Sequence, residues 1–318
     1  MMDQYSQKKI IILGASELQV PAILAAKKRG IKTVVVDYDE NATGRPLADE
    51  FQDISTMDFD QFCSLAKSCK ADGIMTICSD RPMKIVAKVG EALGLNTIKV
   101  DTSIKATNKA AMRQALENAG VPIPEYSIIK NGDNYSKIAM EKFTFPFIVK
   151  PSDNSGSRGI SLVKSEEDLP SAFEYAKKNS TDGVVLFEDY MVGDEVSVEA
   201  FVSNGIINII QITDKMTTGA PHFVETGHTQ PSRLGIQVQD EIATVATDAI
   251  RAIGIDRGPS HVEIKITEDG AKIVELGARL GGDYITTDLV KLSTGVDMVD
   301  AAILSSLGIE PKVERKFN

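Results

Sequence analysis

The sequence predicts a mixed chain, an α/β first third on a parallel sheet followed by a longer α+β part with antiparallel strands. Three observations carry this. Apolar strand runs alternate with helical segments over the first hundred residues, as a buried parallel sheet with right-handed crossovers requires. The texture changes after Thr102. Beyond it, Asn204-Gly205 and Glu268-Asp269-Gly270 each separate two strand-like runs, which is a hairpin signal.

Taken in order, KKIIILGAS is a buried strand, LQVPAILAAKKRG a helix closing on Gly30, and IKTVVVDYD a second strand. A turn at residues 41–46 leads to an amphipathic helix near Asp58 to Lys70. GIMTICSD reads as a strand and residues 81–93 as a helix. Ligands of such sheets sit beyond the carboxyl ends of the strands. That points to Gly14-Ala15-Ser16, Asp37-Tyr38-Asp39 and Cys78-Ser79-Asp80-Arg81. The first turn reads GASELQ rather than GxGxxG, so a nicotinamide or flavin cofactor has little support even with Asp37 placed as a ribose partner.

Residues 103–120 form one or two helical segments, and VPIPEYSII is an extended exit. From Phe145 the pattern is strand, loop, strand, helix, strand: FPFIVKP, SDNSGSRG, ISLVKS, DLPSAFEYAKKN, GVVLFEDYM. EVSVEAFVS and IINIIQITDK then pair as a hairpin, followed by a polar segment over 212–235. HVEIKIT and AKIVEL pair as a second hairpin, and MVDAAILSSLG is a last helix, after which no further domain pattern follows.

Composition narrows the function classes. With 318 residues, the chain is long enough for two or three lobes. The formal charge of −10 disfavours a nucleic-acid partner, so an anionic substrate must be met by local positive charge. No apolar run is long enough to span a membrane, and the start lacks a signal-peptide core, which makes the cytoplasm the default location. Cys63, Cys69 and Cys78 are odd in number without CxxC spacing, and are expected as buried free thiols. Three histidines, His222, His228 and His261, are too few for a histidine-rich metal centre.

The chemistry concentrates in three segments. In the second hairpin Glu263 and Glu275 would approach across paired strands, where two carboxylates can hold a hard divalent cation. Arg279 follows four residues later, with Gly281-Gly282 allowing close backbone approach to a ligand. In FPFIVKPSDNSGSRG, Lys150 ends an apolar strand ahead of a small-residue loop that can turn its N–H groups around phosphate oxygens. In VVLFEDYMVGDE, a strand end can offer backbone groups to an adenine edge, with Glu195 on a ribose.

The order of these parts resembles the ATP-grasp superfamily over roughly residues 100–308. It has the feel of the carbamoyl phosphate synthetase and biotin carboxylase branch, and most of all of L-amino-acid ligases. The resemblance implies a Rossmann-like preceding domain over residues 1–100 and an ATP-grasp domain over 101–318. Within the latter it implies a small lid lobe at about 125–195 and a larger lobe at 196–318. It further implies that Lys109 and Lys150 bind ATP phosphates under a loop of Ser155, Gly156, Ser157, Arg158 and Gly159. Glu188, Asp189, Tyr190 and Met191 would take adenine, Glu195 ribose, and Glu263 with Glu275 the Mg²⁺ (or Mn²⁺). Arg279 would stabilise the transferring phosphoryl group. One departure stands out: the family often has Asn two residues after the second acid, and this chain has Gly277.

Within the polar segment, Glu225 to Pro231 is similar to the E-x-G-H-x-x-P stretch of L-amino-acid ligases. There Glu225 would receive an ammonium group and His228 would orient a carboxylate or accept a proton. His222 and His261 are expected to be structural, and Ser79-Asp80-Arg81 to bound the pocket. The expected activity is ATP-dependent ligation of a small-molecule carboxylate and an amine through an acylphosphate, by an enzyme whose relatives are commonly homodimers. A carboxylating or formyl-transferring purine-pathway type, or a carbamoyl-phosphate-synthetase-like fragment cut short at its C-terminus, is the second reading. A non-enzymatic nucleotide-binding module is the third, with Gly277 the residue that hints at it.

Overall fold

Three sheets organise the chain. The computed structural model describes residues 5–156, 158–220 and 223–317. The first sheet holds β1 (Lys9–Leu13), β2 (Lys32–Asp37), β3 (Glu50–Asp53) and β4 (Gly73–Met75), all parallel, in the order β3-β2-β1-β4. Ile10 to Leu13 and Val34 to Val36 are fully buried, which is why these strands read as continuous apolar runs. The crossovers use α1 (Val20–Lys28) and α2 (Phe59–Cys69), and α3 (Met83–Leu93) follows the last strand. Asp58 caps α2 by accepting from the Gln61 N–H. The strand expected over 73–80 stops at Met75, because Cys78 turns into the left-handed region at φ 56° and starts the loop that faces the rest of the molecule.

Two short helices, α4 (Val100–Lys105) and α5 (Lys109–Asn118), lead out of this unit. Asn108 caps α5 through the Ala111 N–H, and the four-residue spacing sets Lys109 and Arg113 on one buried face. The second sheet contains β5 (Tyr126–Ile129), then, after α6 (Tyr135–Lys142), β6 (Phe147–Pro151), β7 (Ser161–Val163), and, after α7 (Leu169–Lys178), β8 (Val185–Asp189). Its order is β5-β8-β6-β7, all antiparallel, over a core of Phe147, Phe173 and Phe187.

The third and largest sheet runs β11-β10-β9-β12-β13. It comprises β9 (Asp194–Ser203), β10 (Ile206–Thr217), β11 (Glu225–Thr229), β12 (Gly258–Thr267) and β13 (Gly270–Gly277), with α8 (Ile236–Ile253) between β11 and β12. Both expected hairpins form at their Asn-Gly and Asp-Gly turns. Two elements go beyond the expectation. The polar segment after β10 contains an edge strand, β11, whose polar side chains hide it from an apolar-alternation test. The eighteen-residue α8 carries Ile242, Val245, Ala246, Ala249, Ile250 and Ile253 at helical spacing, all buried.

The chain then returns. After α9 (Val290–Thr294), α10 (Met298–Ser306) packs into the core of the first sheet, with Ile303 and Leu307 beside Ile10 and Ile12. Arg29 in the loop after α1 ion-pairs with Asp300 of α10. None of the helices is long and apolar enough to cross a membrane, among the described residues. The three cysteines are free but only half-buried, not fully inside as expected.

Candidate active site

The second and third sheets face each other across a cleft, lined by elements far apart in the sequence. β6 carries Lys150 next to its last residue, β8 ends on Asp189, α5 begins on Lys109, and β9, β10, β12 and β13 supply Glu195, Lys215, Glu263 and Glu275. Lys109, Lys150, Ser155, Gly156, Arg158, Glu188, Asp189, Tyr190, Met191, Glu195, Glu225, Glu263 and Glu275 all line this one cavity. The sequence-predicted residues are thus brought together with few exceptions. Gly159 turns away at φ 83° and packs against Pro151 and Asn179. Arg279 and His228 are not among the residues lining it and are tied to Asp80 and Glu225 respectively. Ser157 and His222 lie outside the described residues.

The two acids meet where the sequence placed them. Glu263 and Glu275 are cross-strand partners in the β12–β13 ladder, at a bulge between Glu263 and Ile264. Bulges re-aim side chains, and this one is beside Glu263 in the cavity wall. Lys109 Nζ reaches Glu275 Oε1 at 3.0 Å and donates to the Asn154 carbonyl at 2.7 Å. So α5 touches both the hairpin and the loop after β6.

Lys215, which no sequence motif singled out, is the cationic centre of the site. It is buried among three carboxylates, Glu195 at 2.9 Å, Glu225 at 2.8 Å and Glu263 at 3.1 Å. Burial alone would lower its pKa, but these three acids outweigh burial and hold it well above the usual lysine value. Register explains the cluster: β9 sets Glu195 beside Lys215 on one side and Lys265 on the other. Lys265 Nζ completes the pair with Glu195 at 3.1 Å. The period-2 spacing that would have found Lys215 is the same as for any inward strand residue, so only pairing reveals it.

A second network lies deeper. Arg113, Glu188 and Lys150 are 1 %, 3 % and 5 % exposed, so all three charges depend on one another. Arg113 donates twice to the Glu188 carboxylate, at 2.8 and 3.0 Å, and once to the Val274 carbonyl; Lys150 Nζ stands 2.7 Å from Glu188. Burial would raise Glu188, yet the two cations bring it down to about 2. Burial pulls the Lys150 pKa below its ordinary value, with Glu188 opposing. Glu188, expected at the adenine, lines the cavity with its carboxylate held as a counter-ion, and its backbone is in the ladders to β5 and β6. Asp189, Tyr190 and Met191 remain at the cavity rim, with the Phe223 ring 6.5 Å from that of Tyr190.

His261, expected to be structural, is buried between Glu199 at 2.7 Å and Glu263 at 3.4 Å. Burial opposes its charge, but these acids push its pKa up to about 9. In turn Glu263 is held well below the carboxylate range against burial, by Lys215 first and then by His261. His228 Nε2 lies 2.7 Å from Glu225 Oε2, a bond that is the main cause lowering the Glu225 pKa.

Comparison with known proteins gives the class. A sequence model of the ATP-grasp domain matches residues 143–288. The chain belongs to the ATP-grasp superfamily. It is 31 % identical over 219 residues to a D-alanine--D-alanine ligase from Geotalea uraniireducens, covering 67 % of this chain and 66 % of that one. It is 26 % identical over 283 residues to a formate-dependent phosphoribosylglycinamide formyltransferase from Pasteurella multocida (85 % of this chain, 69 % of that one). An uncharacterised protein, y4rH, of Sinorhizobium fredii is 27 % identical over 260 residues, 80 % of this chain, which spans about half of that relative's length (53 %). Among solved structures, an L-amino acid ligase from Bacillus licheniformis shares the fold at a TM-score of 0.82 and 22 % identity, over 94 % of this chain and 74 % of that one. An N5-carboxyaminoimidazole synthetase from Staphylococcus aureus, complexed with ADP, does so at 0.81 and 20 %, over 100 % and 82 %.

Proposed function

We propose that this chain is an ADP-forming, ATP-dependent carboxylate–amine ligase. The observation that supports it most is the convergence of Lys109, Lys150 and Lys215 with the facing acids Glu263 and Glu275 in one cleft between two sheets. Three cations on the wall of a chain carrying a net charge of −10 are what a polyanionic substrate needs locally. The triphosphate would lie between β6 and the β12–β13 hairpin, with Ser155, Gly156 and Arg158 over it, its base at Asp189 to Met191 and its ribose near Glu195.

The donor set fits Mg²⁺ (or Mn²⁺) brought in with the nucleotide rather than a resident metal. Among the described residues no group of three or more His, Cys, Asp and Glu could hold a metal ion on its own. Two carboxylates plus phosphate oxygens and water are, however, the usual coordination of nucleotide-bound Mg²⁺. Glu263 and Glu275 would hold it, and it would neutralise charge on the terminal phosphates.

The chain's own residues do the rest. Lysines 109, 150 and 215 offset charge on the phosphates as a substrate carboxylate oxygen attacks the terminal phosphorus and the bond to ADP breaks. Arg279 meets charge that builds on the transferring group and on the tetrahedral adduct formed when the amine attacks the acylphosphate carbon. Phosphate leaves, and the Glu225–His228 pair takes the proton that the amine gives up.

A panel of amino acids and small carboxylates, assayed for ADP and phosphate, tests this. Ligation is supported when one carboxylate with one amine raises ADP release many-fold and a condensed product forms. ADP release raised by formate and a ribosyl amine, with a formylated product, would favour the formyl-transfer reading that the Pasteurella relative suggests. ATP binding without turnover for any pair would leave a non-enzymatic module.

A further inference from the structure

We infer that Asp80, from the loop after β4, is the positioning residue for Arg279, and that Gly277 is a glycine because this pair occupies the space beside it. The inference rests on the reading above, in which Arg279 faces the transferring phosphoryl group.

Arg279 donates from Nε to Asp80 Oδ1 at 2.8 Å and from Nη2 to Asp80 Oδ2 at 3.2 Å, two parallel bonds that fix the plane of the guanidinium. Nη1 donates to the Leu280 carbonyl at 3.1 Å, so each nitrogen has a partner and the group has one orientation. Both side chains are largely buried, at 15 % and 17 % exposure. A buried, bidentate pair of this kind loses little motion and couples its members tightly. The loop that carries Asp80 is itself fastened to the stretch after β13, since Cys78 Sγ contacts the Gly281 carbonyl at 3.2 Å. Asp80 thus reaches from the first sheet to the end of the metal hairpin, 199 positions away in sequence.

Gly277 adjoins the same pair. Its backbone is ordinary strand, the last residue of β13, so no positive φ calls for glycine there. Space does. A Cβ at this position would stand 3.0 Å from Asp80 Oδ1 and 3.2 Å from Arg279 Cγ and Nε. The asparagine often found here in the superfamily would therefore crowd the pair, which would have to give by a few tenths of an ångström. The departure at Gly277 is the room an Asp-anchored arginine needs.

The test compares the affinities of Mg·AMP-PNP and Mg·ADP by calorimetry, in wild type and in Arg279→Ala, Asp80→Asn and Gly277→Ala. A positioning role predicts that Asp80→Asn and Gly277→Ala each reduce the preference for AMP-PNP roughly tenfold, as Arg279→Ala does, with ADP affinity unchanged. A merely structural role would lower the melting temperature and both affinities together, which overturns the inference. So would a wild-type preference in Asp80→Asn and Gly277→Ala while Arg279→Ala loses it. If Asp80→Asn does not fold, Gly277→Ala decides, because it removes no charge. If Arg279→Ala itself keeps the full preference, or wild type binds neither nucleotide, the reading of the site fails first and the inference falls with it.

Discussion

Glu263 and Glu275 face each other across the β12–β13 ladder, and each is held by a lysine from a different element, Lys215 of β10 and Lys109 of α5. Every acid that would take a metal therefore already has a cation beside it. Metal held by Glu263 and Glu275 would supply the charge that Lys215 and Lys109 now supply, leaving both lysines available to phosphate oxygens. Replacing Glu275 or Glu263 by Gln is expected to lower Mg²⁺-dependent ADP release by about 10²-fold or more. Steady-state turnover against Mg²⁺ concentration checks this, and full retention of turnover in Glu275→Gln contradicts it.

Lys215→Met isolates the opposite effect. Three carboxylates would lose their shared cation in a buried setting, at a cost of about 3–5 kcal/mol. Thermal melting should show the variant less stable than wild type without divalent ions. Added Mg²⁺ should then raise the melting temperature of Lys215→Met more than that of wild type. An equal or smaller rise would mean the acids do not gather around a cation site.

Lys150→Ala should weaken nucleotide binding by about ten- to a hundredfold, since a charge-assisted contact to phosphate is lost. Titration with Mg·ADP reads this directly. Unchanged affinity would remove Lys150 from the phosphate site and leave it only its bond to Glu188.

Acid stability follows from Glu188. Its pKa is about 2 in the folded chain against an ordinary 4.5, so its contribution is present above pH 4.5 and lost as pH falls from there toward 2. The size is about 3 kcal/mol. Urea midpoints measured between pH 5 and 3 should fall in wild type and fall less in Glu188→Gln, which is already weakened at pH 5 because Arg113 and Lys150 stay buried without their acid.

Where the sequence was legible, one signal repeated over neighbouring residues. The run Ile10 to Leu13, the Asp-Gly turn before Gly270, and the placing of Lys150 at a strand end all announce themselves within a dozen residues. Lys215 and Arg113 do not. Each looks like one more charged residue on its element, and becomes important only through pairing with β9 or contact with β8. Asp80 is legible as an edge of the pocket, but its bond to Arg279 is not, because the two lie 199 positions apart. Glu188 is of the same kind: a strand-end acid in sequence is a buried counter-ion in space.

A crystal structure with Mg·AMP-PNP tests the central claim most directly. The account predicts the nucleotide between β6 and the β12–β13 hairpin, with metal bridging its phosphates to Glu263 and Glu275. Nucleotide bound instead beyond β1 and β2, at Gly14 to Ser16 and Asp37, would contradict it.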